Sequence, residues 1–337
     1  MTDLHAVAAD LLANGRGILA IDETPGTIGG RFEKLGIEST PETRSAYREM
    51  LITTPDLGSW IGGAILQDET FSQKTSAGST FPEELAKRNI AAGIKVDTGA
   101  KPLAGHPNEK VTEGLDGLSD RLAAYKEKGA VFAKWRAVYT IDGEVAPTPG
   151  ACQANAHALA RYAALCQEAG IVPIVEPEVL LEGAHSMERC AAVTAMVLRG
   201  VFNELASQRV DLRGIVLKPS MVVPGKAGEG KASADEVADT TLSVFAEVVP
   251  AAVPSIAFLS GGQSPVQATE HLHAMNSRGP QPWQVGFSYG RALQDTPLST
   301  WSGDSANSEK AQQALAVRAK ANSAASKGEY DSSFEPA

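Results

Sequence analysis

The sequence predicts an α/β protein built as one (β/α)8 TIM barrel over residues 1–337, and three observations carry that prediction. Eight short apolar segments, each closed by a polar residue, recur at residues 18–22, 61–67, 93–97, 132–137, 171–176, 214–218, 255–260 and 284–288. Stretches of helical periodicity separate them, at 42–52, 118–128, 154–169, 187–208, 234–249 and 265–277. No GxGxxG fingerprint follows the first strand, which leaves the doubly wound open sheet as the weaker alternative. Strand and helix alternating in parallel order close as a barrel.

Taken in order, residues up to 14 read as an amphipathic helix leading into the first strand, and residues 308–325 read as a further helix after the eighth. Residues 326–337 form a short polar tail, expected to be mobile. No internal repeat and no Gly/Pro/Ser-rich linker divides the chain.

Hydrophobic residues at 43% and charged residues at 21% are ordinary for a globular chain. The net charge of −10 argues against nucleic acid as a general partner, since phosphate-backbone binding needs clustered Lys and Arg. No run approaches the roughly 18 apolar residues of a membrane span, and Met1-Thr2-Asp3-Leu4-His5 lacks the features of a signal peptide. A cytoplasmic protein is expected. Cys152, Cys166 and Cys190 have no CxxC spacing and read as buried free thiols. His271 and His273 lie two apart, are expected at the surface, and suggest no metal constellation.

In a barrel, the polar residues closing the strands share one pocket at the carboxyl rim. Asp22, Gln67, Lys95, Asp97, Lys134, Arg136, Glu176, Glu178, Lys218, Ser260 and Ser288 occupy those positions. Lys218 is the most informative. It ends the apolar run Gly214-Ile215-Val216-Leu217 and is followed by Pro219, which stops the strand. A partly desolvated lysine there could attack a carbonyl carbon; a lysine snorkelling into solvent is the plainer alternative. Lys134 could depress Lys218 as a cationic neighbour, or pair with a carboxylate such as Glu176. Glu176 and Glu178 are the carboxylates available for proton transfer.

Two stretches are suited to phosphate. Leu259-Ser260-Gly261-Gly262-Gln263-Ser264 offers backbone N–H groups after the seventh strand, and Ser288-Tyr289-Gly290-Arg291 repeats the arrangement after the eighth with a guanidinium added. Barrels commonly bind phosphate at these two loops. Lys95 with Arg31 could hold a second phosphate across the pocket, and Arg136 is a further substrate-binding candidate.

The chain resembles the class I, Schiff-base fructose-1,6-bisphosphate aldolases from about residue 11 to 330. The resemblance lies in Gly17-Ile18-Leu19-Ala20-Ile21-Asp22-Glu23, Gly93-Ile94-Lys95-Val96-Asp97, Phe132-Ala133-Lys134-Trp135-Arg136, Ile174-Val175-Glu176-Pro177-Glu178, Leu217-Lys218-Pro219 and the two glycine loops, in the family's order. It implies that Lys218 forms the Schiff base, Glu176 is its acid and base, Lys134 steers charge, and Asp22 takes the C4 hydroxyl proton. It further implies that Ser260, Gly261, Gly262, Ser288, Gly290 and Arg291 hold the C1 phosphate, that Arg31, Thr27 and Lys95 face the C6 phosphate, and that no metal or other cofactor is needed. A homotetramer is the family's usual assembly.

Three departures stand out. Arg213 replaces a usual acidic residue, Thr24-Pro25 replaces a usual Ser-Thr, and the last tyrosine is Tyr330, where animal members end in a longer tail with a terminal tyrosine. The expected reaction is reversible cleavage of fructose 1,6-bisphosphate to dihydroxyacetone phosphate and glyceraldehyde 3-phosphate, in glycolysis and gluconeogenesis. The alternatives are a Schiff-base lyase for another sugar phosphate and a non-catalytic scaffold on the same fold.

Overall fold

The structure, a computed structural model, describes residues 3–228 and 231–335, so Met1, Thr2 and the tail residues Pro336 and Ala337 named above lie outside the described residues. Within them, eight parallel strands close a barrel: β1 (Gly17–Ile21), β2 (Ile61–Leu66), β3 (Ala91–Lys95), β4 (Phe132–Tyr139), β5 (Val172–Val179), β6 (Val216–Leu217), β7 (Ser255–Phe258) and β8 (Gln284–Tyr289). Neighbours pair in sequence order, and β1 closes on β8 with Ile18 opposite Ser288 and Leu19 opposite Tyr289.

Successive strand residues face opposite sides, so the chain builds two cores. Ile18, Ala20, Ile65, Phe132, Val172, Ile174, Val216 and Ala257 fill the interior with Ala8, Leu11 and Leu12 from the N-terminal segment, while Leu19, Ile21, Val175 and Leu217 pack outward against the helices. The interior is tight. A Cβ on Gly93 would sit 2.1 Å from the Phe132 ring, so only glycine leaves that aromatic its place.

Predicted helices appear at Pro41–Ile52, Leu118–Glu127, Pro149–Glu168, Met187–Ser207, Ala234–Val248, Pro265–Asn276 and Ser308–Ala325. The first strand is preceded by Leu4–Asp10. Unforeseen were Pro25–Glu33, the short helices Asp68–Ser72 and Phe81–Ala86, Arg291–Trp301, and an antiparallel hairpin pairing Ala100–Pro102 with Lys110–Thr112. The sixth strand is shorter than expected, because Leu212–Gly214 turns as a 3-10 helix and Pro219 ends the ladder.

His271 corrects the surface assignment. It is 8% exposed on the inner face of its helix with Ala268, Leu272 and Met275, its Nδ1 lies 2.6 Å from Gln263 Oε1, and burial depresses its pKa to about 4. His273 is half-buried against the Tyr330 ring. Cys166 and Cys190 are buried thiols, Cys152 a partly buried one. As far as Glu335 the tail is seated rather than trailing: Tyr330 is buried and donates to Glu335 (2.7 Å), which pairs with Arg318. Among the described residues no helix is long and apolar enough to cross a membrane.

Candidate active site

The inward side of four strands continues past the apolar layer into charge. Ile18 and Ala20 are followed by Asp22, Phe132 by Lys134 and Arg136, Val172 and Ile174 by Glu176 and Glu178, and Val216 by Lys218. These side chains line an open cavity of about 280 Å³ at the carboxyl end of the barrel.

At its floor Asp22, Lys134, Glu176 and Lys218 form one chain of contacts. The Lys134 ammonium donates to Asp22 Oδ2 at 2.8 Å and lies 3.2 Å from Glu176 Oε2, while Glu176 Oε1 lies 3.1 Å from the Lys218 amine. All are nearly enclosed, Lys134 and Lys218 each at 4% exposure. Burial alone would raise the Asp22 carboxyl, but the Lys134, Lys218 and Lys95 ammoniums overcome it and hold the group at about 2. For Lys134, burial opposes the ammonium, and Asp22, Glu176 and Asp97 overcome it and raise its pKa. Asp22 is therefore a carboxylate and Lys134 a cation at neutral pH. Of the two sequence readings of Lys134, the ion pair with a carboxylate is the one formed.

The cations of the cavity wall differ in whether a carboxylate pairs with them. On the β7 and β8 side stand Ser260, Gly261, Ser288, Gly290 and Arg291. Ser288 Oγ is buried with no protein partner among the described residues, and Arg291, exposed at the first turn of Arg291–Trp301, has no carboxylate partner among them. An unpaired hydroxyl, a guanidinium and a helix N-terminus together favour an anion. The other cations of the wall are paired. Arg31 donates to Glu23 at 2.6 Å and Asp295 at 3.1 Å, Lys95 to Asp97 at 2.6 Å, and Arg136 to Glu178. Asp97 also accepts from the Arg136 N–H at 3.3 Å, and Glu178, with Glu176, raises the Arg136 pKa against its burial.

Of the predicted site residues, Asp22, Thr27, Arg31, Lys95, Lys134, Arg136, Glu176, Glu178, Lys218, Ser260, Gly261, Ser288, Gly290 and Arg291 come together here. Gly262 does not. It turns with φ +76° toward Leu181 and Lys226, in a neighbouring cavity. Gln67 caps the helix Asp68–Ser72, and Tyr330 is absent from the cavity wall. Arg213 sits at the other end of β6, paired with Asp211. Sequence reasoning missed Glu23, Gln294 and Asp295; adjacency to Asp22 was the available signal for Glu23, and the unrecognised helix at 291–301 hid the other two. Among the described residues, no group of three or more His, Cys, Asp or Glu is placed to hold a metal ion.

Residues 3–337 match the family model described as fructose-bisphosphate aldolase class-I. The chain is 53% identical over 328 residues to the probable fructose-bisphosphate aldolase class 1 of Xylella fastidiosa, covering 97% of this chain and 98% of that protein. It is 50% identical over 333 residues to the chloroplastic fructose-bisphosphate aldolase 3 of Arabidopsis thaliana, covering 99% and 84%. The fold superimposes on a solved fructose-bisphosphate aldolase of Plasmodium falciparum with a TM-score of 0.96 at 45% identity, covering 97% and 95%.

Proposed function

The chain belongs to the class I fructose-bisphosphate aldolase family, and from that premise we propose which of its residues perform each step. The enzyme cleaves fructose 1,6-bisphosphate reversibly to dihydroxyacetone phosphate and glyceraldehyde 3-phosphate through a lysine Schiff base.

The Lys218 amine adds to the C2 ketone, and the carbinolamine loses water to become an imine. Glu176, 3.1 Å from the amine, takes the amine proton and returns it to the departing hydroxyl. Asp22 then takes the C4 hydroxyl proton while the C3–C4 electron pair moves into the protonated imine, releasing glyceraldehyde 3-phosphate. The remaining enamine is protonated at C3, and hydrolysis frees dihydroxyacetone phosphate and Lys218. Lys134 stays charged and holds both carboxylates in place. Glu178 fixes Arg136 at the wall.

Ser260, Gly261, Ser288, Gly290 and Arg291 hold the C1 phosphate. Thr27, Arg31, Lys95 and Arg136 face the C6 phosphate, with Gly262 supporting the first loop. We further propose a single barrel domain over the whole chain, a homotetramer in the cytoplasm, a place in glycolysis and gluconeogenesis, and no nucleic-acid partner.

One observation carries the reading: a single carboxylate, Glu176, reaches both lysines. Glu176→Gln keeps the shape and removes the base, so stopped-flow single turnovers with dihydroxyacetone phosphate should show imine formation slowed about 10²- to 10⁴-fold. An unchanged rate would assign the proton transfer elsewhere.

A further inference from the structure

Arg31 is held by the protein's own groups, and one of them comes from the helix that begins with Arg291. Gln294 is fully buried one turn after Arg291. Its Nε2 donates to the Ala20 carbonyl at 2.7 Å and to Glu23 Oε1 at 2.9 Å. Its Oε1 accepts from the Tyr47 hydroxyl at 3.1 Å and faces the Arg31 guanidinium at 3.4 Å.

The neighbours dictate which way this amide points. A carbonyl offers only lone pairs, so nitrogen must face Ala20; a guanidinium offers only donors, so oxygen must face Arg31. Glu23 in turn accepts from Arg31 at 2.6 Å, and Asp295, the next residue after Gln294, accepts at 3.1 Å. The arginine fork is thus held from two sides by one helix segment and one strand end. An arginine ordered in advance loses less freedom when a phosphate binds it. Losing the amide would leave Ala20, Glu23 and Tyr47 short of partners and free the fork to turn.

We propose that Gln294 is a specificity-determining positioning residue: by setting Arg31 and Glu23 it sets how strongly the enzyme favours fructose 1,6-bisphosphate over fructose 1-phosphate. The inference rests on the placement of Arg31 at the C6 phosphate. Fructose 1-phosphate lacks that group and is blind to the orientation of the fork.

The test is steady-state kinetics on both substrates for the parent enzyme, Gln294→Met, Tyr47→Phe, Arg31→Ala and the Gln294→Met/Arg31→Ala double variant. Gln294→Met should lower kcat/KM for the bisphosphate about tenfold, chiefly through KM, and change that for fructose 1-phosphate by less than about twofold. Tyr47→Phe keeps the amide and removes one donor to it, so the selectivity ratio should move the same way by a smaller factor. The double variant should be no worse on the bisphosphate than Arg31→Ala alone, because one residue acts through the other. Equal losses on both substrates, or an unchanged ratio in both single variants, would overturn the proposal and leave Gln294 as support for the strand end. If Arg31→Ala itself leaves the ratio unchanged, the placement of Arg31 fails, a result distinct from failure of the amide's role.

Discussion

Lys134 carries two carboxylates, Asp22 at 2.8 Å and Glu176 at 3.2 Å, so replacing it with methionine leaves two enclosed negative charges short of their shared counterion. Burial, the largest influence on Asp22, then acts with less opposition, and the carboxyl rises from about 2 toward its ordinary value of 3.8. A protonated Asp22 cannot accept the C4 proton. The acid limb of kcat/KM should therefore move to higher pH in Lys134→Met, with the loss of activity growing as pH falls. An unmoved acid limb would mean that Lys134 does not govern Asp22. The linkage to stability has a definite sign: a carboxyl depressed on folding stabilises the parent enzyme above its unfolded value, and that contribution fades as pH falls from 3.8 toward 2. The residue types at the rim were legible in the sequence because each closes an apolar run. Of their pairings only Lys134 with Glu176 was offered, as one of two alternatives, since which carboxylate meets which lysine depends on the register that sets Arg136 beside Glu176 and Lys95 beside Lys134.

Helix Pro25–Glu33 shows why some elements escaped a reading by periodicity. It contains Gly26, Gly29 and Gly30, which weaken an isolated helix, and it forms because Thr24 caps it, Pro25 occupies its first turn, and Ile28 and Phe32 are buried. The departure Thr24-Pro25 is thus a helix start. Arg291–Trp301 escaped for a similar reason, with Pro297 inside it and Leu293, Leu298 and Trp301 buried by the fold. Strand segments, by contrast, were legible as continuous apolar runs, because strands covered on both faces need no polar side. Thr24→Ala removes the acceptor for the Thr27 N–H and should cost about 1 kcal/mol in a denaturant titration. A loss indistinguishable from zero would mean that packing alone starts the helix.

The whole molecule carries a net charge of −10 yet must bind a bisphosphate, and the barrel resolves this by collecting cations at one end of its lumen. Right-handed crossovers bring eight strand ends to one mouth, so residues as far apart in sequence as Asp22 and Lys218 share one carboxylate-lysine chain. That convergence was legible once eight strands were counted, while the contrast between Arg291, without a carboxylate partner among the described residues, and the paired Arg31, Lys95 and Arg136 needed the structure. We propose Lys218 as the nucleophile at the centre of this arrangement. Borohydride trapping with dihydroxyacetone phosphate, followed by peptide mass mapping, tests it most directly. The predicted result is one covalent adduct, on the peptide carrying Lys218, absent from Lys218→Arg; an adduct on Lys134 or Lys95, or none in an enzyme that still cleaves its substrate, would contradict it.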